Sequence, residues 1–496
     1  MKKIQYLIVL LLFSSPAWSQ GLTDAIRLSD YRLNGTARAT AMGNAFGSLG
    51  GDFTSASINP AGIGLYRSGE FVFSTRLGEN QADGTYLNNM ANESKFHISV
   101  PNIGYVATFK PTPSEGSSLI SVNLGIGYNR MNDFNVKKIV SGDDATSTML
   151  DGFVANANSK PQNWGDAYEE LAWKTDLLLF DEQAKVYWND IAEAGHGQSQ
   201  RKTFSHEGSI DEYLFSLAAN FNHKVYVGAT IGIHDVYFRE RTSLFEYDLN
   251  GDIPYFNDYT FDTSLKTTGT GFNAKFGVIV KPIDALRLGV AFHTPTFYDL
   301  HDQYYNDMYS SITYDDGTTD DLDAHSDYFD YDYKLQTPMK AIFSAAYIIG
   351  KQGLISVDYE WVDYSKIKLS DGGNGYDFYD ENDEIDGALQ SAGNLHLGAE
   401  FRVSEYFSLR GGFEYLPSPY KNVAFGNKQL NGKADTYTYS GGLGWKAGNF
   451  FADLAYKRVD REDYVFLYSV PNDLDLPTAK FKNQSDFVTL TLGFRF

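Results

Sequence analysis

The sequence predicts an all-β fold: a transmembrane antiparallel β-barrel of about 14 strands with an N-terminal plug (hatch). Three observations predict it. Apolar and polar residues alternate with period two in segment after segment, the connections between segments alternate short and long, and the composition is rich in aromatic residues yet polar on average.

The chain opens with Lys2 and Lys3, the apolar run Ile4 to Phe13 and the small-residue site Ala17-Trp18-Ser19. This is the pattern of a cleavable secretory signal peptide. An apolar stretch of about ten residues is half of what a helix needs to cross a bilayer, so residues 1–20 are expected to be removed, with maturation near Gln20 or Gly21. The absence of cysteine excludes a lipoprotein anchor, disulfides, thiolate metal sites and cysteine nucleophiles.

No later apolar run in the sequence approaches the length of a membrane helix, which excludes a helical membrane protein. The 46 glycines, 35 tyrosines and 35 phenylalanines stand beside a mean hydropathy of -0.34. Membrane barrels have this balance, because lipid-facing and lumen-facing residues alternate and aromatic girdles mark both interfaces. A net charge of -22 and a pI near 4.8 argue against a nucleic-acid partner, which needs a basic face. Much of the acid lies in residues 315–332 and 371–386. These read as solvated loops or, alternatively, as sites where divalent cations bridge to lipopolysaccharide or Ca²⁺ binds; neither matches the ligand spacing of an EF-hand.

The last residues show the alternation best. Val488, Leu490, Leu492, Phe494 and Phe496 point one way, Thr489, Thr491, Gly493 and Arg495 the other. The split recurs in Leu395, Leu397, Ala399 and Phe401 against His396, Gly398, Glu400 and Arg402, and in Phe407, Leu409 and Phe413 against Ser408, Arg410 and Glu414. A soluble sandwich can alternate too, so the connections decide. Short ones fall at 222–224, 282–285, 350–352, 404–406 and 447–449, with a longer one at 110–118. Long polar ones are expected at 78–96, 131–209, 240–262, 298–331, 366–393, 416–434 and 460–484. Short periplasmic turns and long external loops are the habit of outer-membrane barrels. Seven long and six short connections place both barrel ends in the periplasm and the protein in the bacterial outer membrane. The chain closes on an aromatic residue, Phe496.

Residues 21–68 have a different texture, rich in Gly, Ala, Ser and Asn, and read as a plug preceding a barrel of residues 69–496. A short helix is expected within 36–49, ending at Gly50-Gly51, and Asn59-Pro60 is a turn signal. Gly43-Asn44-Ala45-Phe46, Asp52, Ser55-Ala56-Ser57 and Asn59-Pro60-Ala61-Gly62 resemble the hatch of the FadL/TodX family.

The resemblance implies a fourteen-stranded plugged barrel that passes long-chain fatty acids or other hydrophobic compounds, such as aromatic hydrocarbons, across the outer membrane, with a side exit through the wall. It also implies that Asn59, Pro60, Ala61 and Gly62 lie in a gating region; a plain plug-to-wall turn is the other reading of the same residues. The family implies an alternative function as well, a protein-binding barrel acting as a cargo shuttle in type IX secretion.

Two further features bear on passage of hydrophobic molecules. Residues 167–192 are unusually apolar for an external loop, with Leu171, Trp173, Leu177, Leu178, Phe180 and Trp188. They suit a capture surface for lipophilic molecules, or a cap whose apolar face packs onto the barrel mouth. Pro101 interrupts an alternating strand, and proline cannot donate to a ladder. A bulge or break is expected there, eased by Gly104, with the plug around 59–61 close enough to gate it; a sealed irregularity is the plainer alternative.

Neither G-x-S-x-G nor H-E-x-x-H occurs, and the histidines are dispersed, so no enzyme, cofactor or metal site is expected. The expected partners are a hydrophobic small molecule, outer-membrane lipid and lipopolysaccharide, and the barrel assembly machinery, with the barrel itself a monomer.

Overall fold

A computed structural model describes residues 21–112, 117–160, 167–422, 432, 434–470 and 476–496; the signal peptide lies outside them. Fourteen wall strands follow one another round a closed antiparallel ring. They are β1 (Glu70–Tyr86), β2 (Asn89–Phe109), β3 (Leu119–Asp133, continued by Val136–Gly142), β4 (Ser199–Phe221), β5 (Val225–Tyr247), β6 (Phe256–Ile283) and β7 (Leu286–His293, then Phe297–Thr313). The second half holds β8 (Phe329–Gln336, then Lys340–Ile349), β9 (Gly353–Asp363, then Lys368–Asp371), β10 (Ser391–Arg402), β11 (Phe407–Leu416), β12 (Thr436–Ala447), β13 (Phe450–Phe466) and β14 (Thr478–Arg495). The ring closes between β14 and β1, from Glu70 opposite Arg495 to Thr85 opposite Lys480. Closure pairs the first and last strands with each other, so neither is left as an edge for another chain to join.

The alternation sets the two faces. Val488, Leu490, Leu492, Phe494 and Phe496 are all exposed outward, as are Leu397, Phe401, Leu409 and Phe292 on other strands, while Thr489 and Thr491 are buried in the lumen. Among the described residues no helix is long and apolar enough to span a membrane; the strands do the crossing. The short turns fall where alternation places them, for instance between β4 and β5 at 222–224.

The long connections are far more ordered than expected. Segment 78–96 is a hairpin turning only at Leu87 and Asn88, and 240–262 is likewise taken up largely by β5 and β6 running on. Beyond the bilayer both faces meet water or polar neighbours, so the apolar alternation fades while the backbone ladder continues. Part of 416–434 and part of 460–484 lie outside the described residues.

The plug fills the lumen. Helix α1 (Leu22–Arg27) stands at its outer end, α2 (Ala37–Ala41) and α3 (Ser55–Ile58) lower down, and a 3₁₀ turn Pro60–Leu65 leads to β1. Helix α2 is shorter than the sequence suggests. Thr36 caps it by accepting from Ala39 N at 3.2 Å, but Gly43 and Asn44 take left-handed φ of 57° and 55°, and no helix survives that turn. Above the plug, α4 (Met149–Ser159), α5 (Glu169–Lys174) and α6 (Asp190–Glu193) form an external cap, and α7 (Tyr379–Ala388) packs beside α1.

Candidate functional site

The wall is irregular at one place on β2. Ser74 of β1 stands opposite Asn102 and Arg76 opposite Ser99, so Val100 and Pro101 together face Thr75. This is a β-bulge, and it reverses which face of β2 points outward. Below it Ile103 and Tyr105 are exposed; above it Phe96 and Ile98 are, at 64% and 69%. The β2–β3 ladder ends at the same level, with Asn102 opposite Asn129, the Asn102 amide donating to Asn129 Oδ1. From Asn89 to Pro101, β2 keeps its β1 partner and has no β3 partner.

The continuation of β3, Val136–Gly142, crosses the lumen side of the β1–β2 hairpin, where Gly84 admits the Ile139 carbonyl against its backbone. The result is a gap in the backbone ladder of the wall, a closed window with Asn102 and Asn129 as its sill and Val136–Gly142 as its lintel. Side chains span it: His97 to Asp133 at 3.3 Å, Glu93 to Lys137 at 3.3 Å and Asn89 to Asp143 at 2.9 Å. Behind it the plug takes the place β2 has left. Asn34 N donates to Arg130 O at 2.9 Å and Arg32 N to Met131 O at 3.0 Å, a short antiparallel bridge on the free edge of β3. The buried Arg76 guanidinium holds Asn34 there and also donates to Thr489 Oγ1 at 3.0 Å.

The sequence-selected plug residues sit elsewhere. Asn59 and Pro60 press against β5 and β6 at Gly228 and Gly277, which are register partners; a Cβ on either would collide with them. Asn59 accepts from Ala61 N at 3.1 Å and donates to Gly47 O at 2.6 Å, which starts the 3₁₀ turn containing Gly62. The plug segment at the window is thus Arg32–Asn34, together with Phe53, whose ring covers Gly104 and Gly127. Gly104 lies past the bulge in regular ladder opposite Gly127, so its lack of a side chain makes room for Phe53 rather than easing a kink. Gly398 and Gly412 form a third facing pair, under Met42 and Gly43. Glycines in lumen-facing phase on adjacent strands were a signal in the sequence for where the plug lies.

The lumen around the plug is strongly polar. Glu212 on β4, entirely buried, takes Lys275 from β6, His234 from β5 at 3.3 Å and the plug's Ser57 hydroxyl at 2.6 Å. Glu400 receives Arg410 at 2.8 Å and the plug's Arg38 at 2.9 Å, and Glu414 faces Lys457 at 3.7 Å. Of Glu400, Arg402, Arg410 and Glu414, only Arg402 is exposed and outside this interior. A cavity of about 100 Å³ lies beside the plug, lined by Tyr31, Arg32 and Leu33 of the plug and by Lys275, Lys340 and Glu360 of the wall. Among the described residues no three His, Asp or Glu side chains are grouped to hold a metal ion.

The apolar external loop folds inward. Leu171, Leu177 and Leu178 are buried with Tyr86, Tyr259, Phe261 and Met308. Trp173 is 43% exposed, and Phe180 and Trp188 are half-buried on a small hairpin. Burial raises the Asp190 carboxyl on α6 to about 6, and the hydrogen bond donated to Asp151 raises the His196 imidazole.

The residues 252–495 match the family described as outer membrane protein transport protein (OMPP1/FadL/TodX). The chain is similar to that family over this stretch, just under half of its length. The solved structure of a Pseudomonas aeruginosa FadL homologue is 14% identical with a TM-score of 0.52, covering 94% of this chain and 99% of its own. That of the P. putida toluene transporter TodX is 12% identical with a TM-score of 0.52 and the same coverage. At such identities the likeness is one of fold. No curated protein matches. Family match and fold place this FadL/TodX-like barrel in the bacterial outer membrane.

Proposed function

We propose that this barrel passes hydrophobic small molecules, long-chain fatty acids or aromatic hydrocarbons, across the outer membrane and releases them sideways through the window between β2 and β3. The observation that carries the reading is the end of the β2–β3 ladder at Asn102 and Asn129, with the free edge of β3 held by plug residues Arg32–Asn34 instead of a strand. A short plug segment can leave that edge without unzipping the barrel. The polar lumen supports the same route. A solute moving straight down would leave lipid-like surroundings for Glu212, Lys275 and their partners, and each exposed CH₂ costs about 0.8 kcal/mol relative to burial. Exit through the wall returns it to hydrocarbon.

The chain has no native cysteine, so an Asn34→Cys/Arg130→Cys pair gives a clean lock across the plug–β3 bridge. Oxidation is expected to stop uptake of radiolabelled oleate or toluene into proteoliposomes, and reductant to restore it. Uptake that ignores the lock rules out lateral exit.

One observation favours the alternative of a protein-binding secretion barrel: plug and wall side chains crowd the lumen, and the cavity beside Tyr31, Lys275 and Glu360 measures about 100 Å³. A cargo barrel takes up neither solute in the reduced state and copurifies with a secreted protein.

A further inference from the structure

Above the bulge β2 and β3 are held together by side chains alone, and the three contacts differ in kind. Glu93–Lys137 and Asn89–Asp143 lie toward solvent, where such pairs contribute little. His97–Asp133 is the buried one, with side chains 8% and 7% exposed. The imidazole lies over Gly78, whose missing side chain gives it room, and meets the Phe487 ring edge-on at 6.1 Å. Neither of its ring nitrogens has a hydrogen-bond partner; the Asp133 carboxylate at 3.3 Å is the one polar group placed to receive it.

We propose that His97 is the latch of the wall window, a positioning residue for transport whose imidazole ties β2 to Asp133 of β3 across the gap and whose removal lets the gap widen. The proposal rests on the lateral-exit reading above.

On β3, Asp133 Oδ1 is occupied by the backbone and side-chain nitrogens of Asn135 at 3.1 and 2.8 Å, which leaves Oδ2 for His97. Arg130 lies 3.7 Å from that same oxygen, but its Nε is committed to Asp211 on β4 at 2.9 Å. On β1, Arg76 is turned to Asn34 and Thr489. His97 is therefore the side chain through which β2 reaches Asp133, and among the described residues no other contact ties β2 to β3 at that level.

The test reads the window and not the transported solute. Ser99 lies beside His97, buried, with an unpartnered hydroxyl, and Ser99→Cys supplies the single thiol of the full chain. In proteoliposomes, labelling by pyrenyl-maleimide dissolved in the bilayer is compared between parent, His97→Ala and His97→Lys backgrounds at one pH. Loss of a polar contact to a buried carboxylate predicts labelling about tenfold faster or more in His97→Ala. The His97→Lys variant, which again places a donor opposite Asp133, is expected to stay as slow as the parent. Equal rates in parent and His97→Ala, or a His97→Lys variant as fast as His97→Ala, overturn the proposal. If His97→Ala does not assemble, Asp133→Asn serves in its place with the same expected acceleration. An open window without solute uptake would uphold the latch while refuting transport.

Discussion

Ser57 of the plug donates its hydroxyl to Glu212 of β4 at 2.6 Å, and this contact sits midway along a hydrogen-bonded chain that joins the window to the far side of the lumen. From the sill, Asn102 binds Asn129, whose amide donates to Ser57 at 2.7 Å. Beyond Glu212 the chain runs through His234 to Tyr298 at 2.7 Å and on to Tyr31 at 2.7 Å. Tyr31 immediately precedes the plug segment bound at the free edge of β3. Wall, plug and window are therefore one polar assembly.

Glu212→Gln should weaken that assembly. It leaves Lys275 buried without its carboxylate, and breaking one side of a buried pair costs about 3–5 kcal/mol. The double change Glu212→Leu/Lys275→Met should be milder than the single one. Midpoints of heat-modified gel mobility for the three proteins check the order.

Gly104→Ala should loosen the plug while sparing the barrel. A methyl group there meets the Phe53 ring across the Gly104–Gly127 pair, and overpacking of this size costs about 1–3 kcal/mol. Gly125→Ala, whose nearest neighbour would be Ser216 Cβ at 3.4 Å, should be tolerated. Ion conductance of single barrels in planar bilayers is expected to rise for the first and not for the second.

The barrel was legible in the sequence wherever one face meets lipid and the other water, because that contrast forces period two on the residues. Val488 to Phe496 and Leu395 to Phe401 are oriented as read. Above the bilayer the contrast disappears, so the outer ends of β1, β2, β5 and β6 passed for loops. The Pro101 irregularity was visible, and so was a further sign, the apolar phase changing from Phe96 and Ile98 to Ile103 and Tyr105. The partner at the window was not legible. Arg32–Asn34 engages β3 through backbone atoms, which any residues could supply, and Ser57 meets Glu212 only after some 150 residues of chain have folded between them.

The external cap should be tighter in mild acid. His196 Nε2 lies 2.9 Å from Asp151 Oδ2, and Asp151 also closes the capping box at Thr148 that starts α4. The hydrogen bond raises the imidazole above its ordinary 6.5. A group raised on folding adds stability that is complete below the unfolded value and is lost as pH climbs through the folded one. Cleavage of the cap by added protease, taken relative to a His196→Gln variant, should therefore accelerate between pH 6 and pH 8.

Protease added to intact cells should cut this same cap at Lys174 or Lys185, both exposed on its outer side. The turn at 404–406 should be cut only after the outer membrane is permeabilised. The reverse pattern would invert the barrel in the membrane.

Deleting residues 371–386 should damage the outer lumen, contrary to what its acidity suggests. The segment reads as a solvated loop, with Asp371, Asp377, Asp380, Asp383 and Asp386 facing water, and its apolar minority does the packing. Phe378 and Ile385 are fully buried in the cluster that holds Leu22, Ile26 and Leu28 beside Tyr333 and Tyr364. Phe378 also adopts a left-handed φ of 54° to enter α7, a conformation that costs a bulky residue about 1–2 kcal/mol and persists only where packing offsets it. Removing the segment uncovers α1, whereas replacing its five aspartates by asparagine leaves Phe378 and Ile385 in place. The deletion should expose residues 22–28 to amide hydrogen exchange and lower the temperature of barrel unfolding; the fivefold asparagine variant should do neither. Equal protection of α1 in both proteins would show that the acidic loop contributes nothing to the lumen beneath it.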